Sequence, residues 1–270
     1  MFGVWKRRGP FGGRAVLTCG LVLAFFTGAR SAEWGPTEIS VATYNIRHGR
    51  GMDNVVNLRR TAAALRALNA DVIALQEVDR VVQRSGGEDE AAVLGAALGM
   101  AHAFGAFMPY QGGEYGLAIL SRLPILRTEA LRLPEGNEPR VALLVELELP
   151  SGARALAVNV HFDWVENDTF RLRQVEALAA VLDTVSLPII LLGDFNDVPD
   201  SRTMRRWHAR FSTVEKPATD RFTFSSVRPE KEIDHILLAP HDAWEPLSAR
   251  VVTDTITSDH RAFVGRVRLR

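Results

Sequence analysis

An α/β fold built on mixed sheets is what this sequence predicts, and three features predict it. From residue 38 onward, strand-length apolar runs alternate with helix-length amphipathic segments, without a low-complexity linker or an internal repeat. Between helical crossovers come several consecutive strand candidates joined by short turns, which a doubly wound parallel sheet would not contain. The composition, 47% hydrophobic and 24% charged over 270 residues, suits one globular core of ordinary size.

Taken in order, Ile39 to Ile46 alternates as a strand. Asn54 to Asn69 places Val55, Leu58, Ala62 and Leu65 at helical spacing behind the cap-like pair Asp53-Asn54. Asp71 to Val78 reads as an apolar strand and Glu88 to Leu98 as a second helix. Short strands are expected at 102 to 108, 116 to 121, 125 to 133, 140 to 149 and 153 to 162. The stretch 168 to 185 sets Leu172, Val175, Ala179 and Leu182 along one stripe, with Asn167 or Asp168 as its cap. Ile189 to Leu192 is an unbroken apolar run, the mark of a strand covered on both faces. A short helix near 201 to 209 and strands around 221 to 226, 233 to 239, 246 to 253 and 261 to 268 complete the chain.

The N-terminus reads differently. Lys6, Arg7, Arg8 and Arg14 precede an uncharged, mostly apolar segment from Ala15 to Ala29, followed by small residues around Ser31 and Ala32. Fifteen helical residues cover about 22 Å, short of the roughly 30 Å of a bilayer core. A cleaved secretory signal over residues 1–32 is therefore expected, ahead of a domain spanning 33–270, and with it a periplasmic or secreted location. Arg7-Arg8 resembles a twin-arginine signal only loosely, and a plain basic leader fits as well. Cleavage leaves 27 basic and 32 acidic side chains, a net charge of about −5. That is a poor footprint for non-specific nucleic-acid binding. The one cysteine, Cys19, lies in the leader, so the exported part forms no disulfide. No stable membrane span remains, and a monomer is expected.

The strands end in polar residues. IILLGDFND places Asp194 and Asn196 two apart, on one side of an extended chain. TYNIRHG puts Asn45, and LQEVD puts Glu77, at the ends of the first two strands. NVHFDW supplies Asn159, His161 and Asp163, IDHILL supplies Asp234, and SDHRAF supplies Asp259 and His260. Ordinary turn chemistry accounts for any one of these. Five or six together point to one polar cleft at the edge of the sheets. Oxygen donors suit a hard cation, Mg²⁺ or Mn²⁺, and histidines carry protons near neutral pH. A cation, an acid or base and a positioned water are what phosphate-ester hydrolysis requires. Arg140, just before a strand, is a candidate substrate-binding phosphate clamp.

The ordered set TYNIRHG, LQEVD, GLAILSR, NVHFDW, GDFND, IDHILL and SDHRAF covers nearly the whole chain from about 38 to 268. It resembles the endonuclease/exonuclease/phosphatase superfamily, which includes deoxyribonuclease I, exonuclease III and bacterial sphingomyelinases. The resemblance implies a four-layer α/β sandwich, two packed mixed β-sheets flanked by helices. It implies Glu77 as the principal metal ligand, with Asn45 and Asp259 close to the same Mg²⁺ or Mn²⁺ ion. Asp194 and Asn196 resemble the pair that holds the attacking water and contacts the phosphate, Asp194 as the base or as a ligand to a second ion, and Asn45 also reaches the substrate. His260 resembles the histidine at the scissile phosphate, with Asp234 fixing its tautomer. His161 resembles the second phosphate-facing histidine of the deoxyribonuclease I and sphingomyelinase branches, with Glu114 one candidate for its partner and the residue that orients it left open. The implied function is a metal-dependent phosphoesterase, acting on a phosphodiester of a small molecule, a lipid head group or a nucleic acid. A nuclease would add a basic groove or an aromatic stacking platform, and the sequence shows no such cluster. A non-catalytic binding module on the same fold is the rival from another class, and the full set of eight polar residues weighs against it.

Overall fold

The computed structural model describes residues 37–270; the expected leader, residues 1–32, and Cys19 lie outside the described residues. Strand β1 (Thr37–Asn45) is followed by helix α1 (Leu58–Leu68), β2 (Val72–Arg80), α2 (Glu90–Leu98), β3 (Ala101–Tyr110) and β4 (Gly113–Ser121). Then come β5 (Ile125–Arg132), β6 (Val141–Glu148), β7 (Arg154–His161), α3 (Thr169–Leu182), β8 (Ile189–Asp194) and α4 (Arg202–His208). The short β9 (Ser212–Thr213), β10 (Asp234–Ala239), β11 (Trp244–Val251) and β12 (Phe263–Leu269) close the chain.

These form two six-stranded mixed sheets, ordered β11-β12-β1-β2-β4-β3 and β5-β6-β7-β8-β10-β9. In each, one parallel pair sits at the centre: β1 beside β2 through the α1 crossover, and β7 beside β8 through α3. All other pairs are antiparallel. Side-chain alternation decides the layers. Val41, Val72, Leu143 and Ile190 face the space between the sheets, while Ala42 and Ile73 meet α1 and α2, and Val158 and Leu191 meet α3 and α4. The inner strands are covered on both faces, which is why IILL carries no polar residue.

The local sequence explains where elements begin and end, and it corrects three expectations. Helix α1 starts four residues later than the Asn54 to Asn69 pattern predicts. Val56 bridges to Arg50, Asn54 turns left-handed at φ 62°, and Asn57 is the cap, its side chain accepting from the Arg60 amide. In α3 the buried stripe runs through Gln174, Val175, Leu178, Ala179 and Leu182, with Leu172 half-buried; the helix closes at Leu182 because the Thr184 and Val185 amides tighten into turns on Val181 and Leu182. Residues 221–226 form a loop, not a strand. Phe224 alone bridges, to Lys231 and His260, and the Thr223 hydroxyl accepts from the Ile233 and Asp234 amides, folding the segment back on β10. No helix among the described residues is long and apolar enough to cross a membrane.

Glu90 is an acid inside this framework. It is fully buried at the start of α2, one oxygen accepts from the Asp79 amide, and the other has no partner among the described residues. Burial pushes its carboxyl up to about 8. A carboxyl raised in the folded state supports stability fully below its unfolded value and loses that contribution as pH climbs to the folded one. Glu90→Gln keeps the acceptor for Asp79. Its stability advantage over the parent should therefore grow between about pH 4.5 and 8, by about 1.4 kcal/mol per pH unit at most, then level off. Urea midpoints across that range check this; a pH-independent difference would refute it.

Candidate active site

The two central parallel pairs end at the same edge of the molecule, where an α/β sheet presents its strand termini to a ligand. Asn45 lies at the end of β1, and His161 and Asp194 face each other in register at the ends of β7 and β8. Glu77, expected at a strand end, lies inside β2 just past the last β1/β2 pair, with Val78 to Arg80 still paired to β4. Gly193 makes the second pairing feasible. At φ 151°, a Cβ there would sit 2.1 Å from the Val160 carbonyl oxygen, so only glycine lets the strands approach. Glu77 is aimed by a β-bulge: the β2/β4 register shifts between Leu75 and Val78, and Glu77 itself adopts φ 57°. This twist turns it out of the sheet.

Asn45 joins the two sheets. Its Nδ2 donates to Glu77 Oε1 at 3.0 Å and to Asp194 Oδ2 at 3.2 Å, and its carbonyl accepts from the Ser258 hydroxyl next to Asp259. Asp194 is buried; its other oxygen accepts from the Asn196 amide at 2.9 Å. Around Asp194 Oδ2 stand His161 Nε2 at 3.5 Å and His260 Nε2 at 3.6 Å. Asp234 accepts from or pairs with His260 Nδ1 at 3.0 Å. Asn196, left-handed at φ 50°, is anchored through its amide to the Phe162 carbonyl. Asp259, exposed on one side, pairs with Arg47 at 3.6 Å.

Burial governs the charges. It pushes Asp194 up to about 7, with Asp234 adding to the rise and His260 opposing it. Burial lowers His260, but Asp234 and Asp194 outweigh it and hold the imidazole at about 10. Burial also raises Glu77, and the nearby Asp259 charge raises it further. His161 is driven well down by burial and by the Arg140 and His260 charges, which makes it a neutral ring.

Glu77, Asp259, Asp194, Asn196, His161 and His260 line one cleft of about 640 Å³, the size of a small-molecule site. Arg140 lies in its wall. Its guanidinium is stacked over Phe107 at 4.9 Å, one nitrogen donates to Glu138 at 3.0 Å, and Nε and Nη1 have no partner among the described residues. Asn45 and Asp234 stand behind the lining, touching it through Glu77, Asp194 and His260.

Two strand-end residues serve the scaffold instead. Asn159 crosses between the sheets, donating to the Leu75 and Ala118 carbonyls and accepting from Gln76 at 2.7 Å. Asp163 is buried and accepts from the Asn137 and Val165 amides. Glu114 does not orient His161: it pairs with Arg80, and His161 Nδ1 is buried with no partner among the described residues. Tyr115, Trp164, Phe224 and Lys231 also line the cleft and were not singled out by sequence reasoning; an aromatic residue three positions past His161 was the available signal.

A metal has a fitting donor set here. Glu77 and Asp259 bring two carboxylates together in a setting that disfavours their joint charge, oxygen chemistry suited to a hard divalent cation. Asn45 stands beside them with its Nδ2 toward Glu77 and its Oδ1 on the Arg47 amide, so it must turn that oxygen to join them as a ligand. Asp194, Asp234 and His260 form a second close group of potential ligand atoms.

The sequence matches the Endonuclease/Exonuclease/phosphatase family over residues 42–260. Among solved structures, an endonuclease/exonuclease/phosphatase from Beutenbergia cavernae is 24% identical, with a TM-score of 0.71 over 86% of this chain and 72% of its own. A mannosyl-6-phosphatase from Bacteroides thetaiotaomicron is 18% identical, with a TM-score of 0.70 over 85% of this chain and 99% of its own. D. rerio TDP2 complexed with a single strand DNA product is 17% identical, with a TM-score of 0.69 over 85% and 98%. At these identities the structures speak for the fold, a four-layer α/β sandwich. The family match spans most of the sequence, and on it the chain belongs to the endonuclease/exonuclease/phosphatase family, whose members are hydrolases of phosphate esters.

Proposed function

We propose that this chain is a divalent-metal-dependent phosphoesterase that hydrolyses a phosphodiester by in-line attack of water, and that it acts in the periplasm or outside the cell. The observation that carries the reading is Asp194 Oδ2, set between the Nε2 atoms of two histidines and tied through Asn45 to Glu77. Glu77, Asp259 and Asn45 would hold Mg²⁺ or Mn²⁺, which when bound supplies positive charge to the phosphoryl oxygens. Asp194 orients the water and takes its proton, a task for which a carboxylate near 7 is matched to neutral pH. Asn196 contacts the phosphate beside it. His260, kept protonated by Asp234, faces the developing charge, and neutral His161 donates a hydrogen bond from the other side. Arg140, buried in the cleft wall with Nε and Nη1 unpartnered among the described residues, supplies positive charge behind the phosphate. The mannosyl-6-phosphatase and the DNA-bound TDP2 show that phosphate monoesters and nucleic acids both occur as ligands among proteins of this fold. Two histidines on one carboxylate favour the diester here.

The test is hydrolysis of bis(p-nitrophenyl) phosphate and p-nitrophenyl phosphate by residues 33–270 with Mg²⁺, with Mn²⁺ and with EDTA. Metal-dependent release of p-nitrophenolate, faster from the diester, is expected. Turnover unaffected by EDTA, or of neither compound, would overturn the reading.

A further inference from the structure

The cleft has an apolar side that the phosphoryl chemistry does not use. Trp164, Val198, Phe224 and Ile233 line it, and Phe224 leans over His260 with ring centroids 4.9 Å apart. Trp164 is 57% exposed, an unusual state for the largest apolar side chain beside a cleft. Its backbone, in contrast, is fixed. Asp163 just before it is fully buried and donates through its amide to Gln174, while its carboxylate accepts from Asn137 and Val165. Buried Arg171 donates to the carbonyls of Asp163 and Val165 on both sides of the indole, and its Nε pairs with Asp197 in the loop that carries Val198. The two loops are thereby locked to each other and present an open aromatic face three residues from His161. An exposed ring on an ordered backbone loses little freedom when a second ring settles on it.

Charge decides what comes there. Of the acids in segments 162–168 and 195–201, Asp163 is buried, Asp168 pairs with Arg202 and Asp197 with Arg171, so exposed Glu166 and Asp200 carry the charge of these loops, which hold no basic residue of their own. A polynucleotide laid across this rim would bring further phosphates toward Glu166 and Asp200, whereas a single ester places its one phosphate at the histidines and Arg140. The cleft volume of about 640 Å³ fits the latter.

We propose that Trp164, with Val198 and Phe224, forms a subsite for a ring-bearing substituent of a small, single-phosphate ester, a sugar or a base stacked by its flat face on the indole. This inference rests on the phosphoesterase reading above and names the substrate class for the same site. Stacking on an aromatic side chain is removed by alanine at a cost that corresponds to about tenfold in affinity.

Calorimetric titration of the protein in Mg²⁺, and again in Mn²⁺, with thymidine 5′-phosphate, mannose 6-phosphate and methyl phosphate tests it. At least one ring-bearing ester should bind about tenfold more tightly than methyl phosphate. In Trp164→Ala that preference should fall below about threefold, with methyl phosphate affinity unchanged, and Trp164→Phe should retain part of it. The methyl phosphate value also reports that the variant is folded. A preference for thymidine or for mannose identifies the base or the sugar as the ring. Equal affinities for all three in the parent, or a preference that survives in Trp164→Ala, would overturn the subsite. Diester turnover measured on the same preparation separates the two readings: turnover without ring preference sinks the subsite alone, and neither turnover nor binding sinks both.

Discussion

Asp194→Asn should lower kcat for bis(p-nitrophenyl) phosphate by about 10²- to 10⁴-fold, the contribution of a positioned general base. The substitution is nearly isosteric, and the new amide oxygen can still accept from the Asn196 amide, although its nitrogen then meets the Asn45 Nδ2 that donates to Oδ2 in the parent. What it removes is the proton acceptor and the charge between His161 and His260. The pH profile separates this from a general loss of structure. A base works deprotonated, so the parent rate should rise with pH through a limb at or below about 7, since a bound cation can only pull Asp194 lower. An imidazolium works protonated, so the rate should fall above about 10, where His260 loses its proton. Asp194→Asn should lack the acidic limb, and its alkaline limb should move down because one carboxylate no longer supports His260. The measurement is kcat/KM from pH 5 to 11. A variant within threefold of the parent at pH 8, or one that keeps the acidic limb, would take the base role from Asp194.

How much of this was legible beforehand depends on which physical term placed each residue. Period-two alternation and the order of the motifs place Asn45, His161, Asp194 and Asp234 at strand ends, where backbone register sets the side-chain direction, while His260 lies in the loop before β12 and is held by its bridge to Phe224 and its contact with Asp234. Glu77 was named from its motif, yet its direction comes from a bulge whose two-against-one pairing has no mark in the sequence. Asn159 and Asp163 look the same as their neighbours in the sequence, and only packing shows that one spans the sheets and the other pins a loop. The helical spacing of Val55 predicts an earlier start for α1, whereas a bridge at Val56 and the cap at Asn57 decide the boundary. The strand expected at 221–226 failed for a related reason: its apolar and β-branched residues satisfy the propensity, but the Thr223 hydroxyl takes the amides that a ladder would have used. Trp164 carries no mark in the sequence, because exposure, the property that makes it informative, is not written in residue type.

Glu77→Gln should weaken Mg²⁺ and Mn²⁺ binding by at least about tenfold while leaving the fold intact, because a neutral amide is a poorer ligand than a carboxylate but can still accept from Asn45. Stability gives a readout that does not depend on turnover. Without metal, burial and the Asp259 charge hold the Glu77 carboxyl above its usual range. Its contribution is therefore complete below the unfolded pKa and is lost as pH rises, so at pH 8 the parent in EDTA carries an unfavourable carboxylate that the variant lacks. In EDTA the variant should melt at or above the parent. Metal should reverse the order, since a ligand at 100 times its Kd stabilises by about 2.7 kcal/mol and the variant, at the same concentration, receives about half of that or less. Thermal melts of both proteins at pH 8, in EDTA and in saturating Mg²⁺, measure the crossing. Parallel shifts on adding metal would mean that the ion sits elsewhere, and the Asp194, Asp234 and His260 group would then be the place to look.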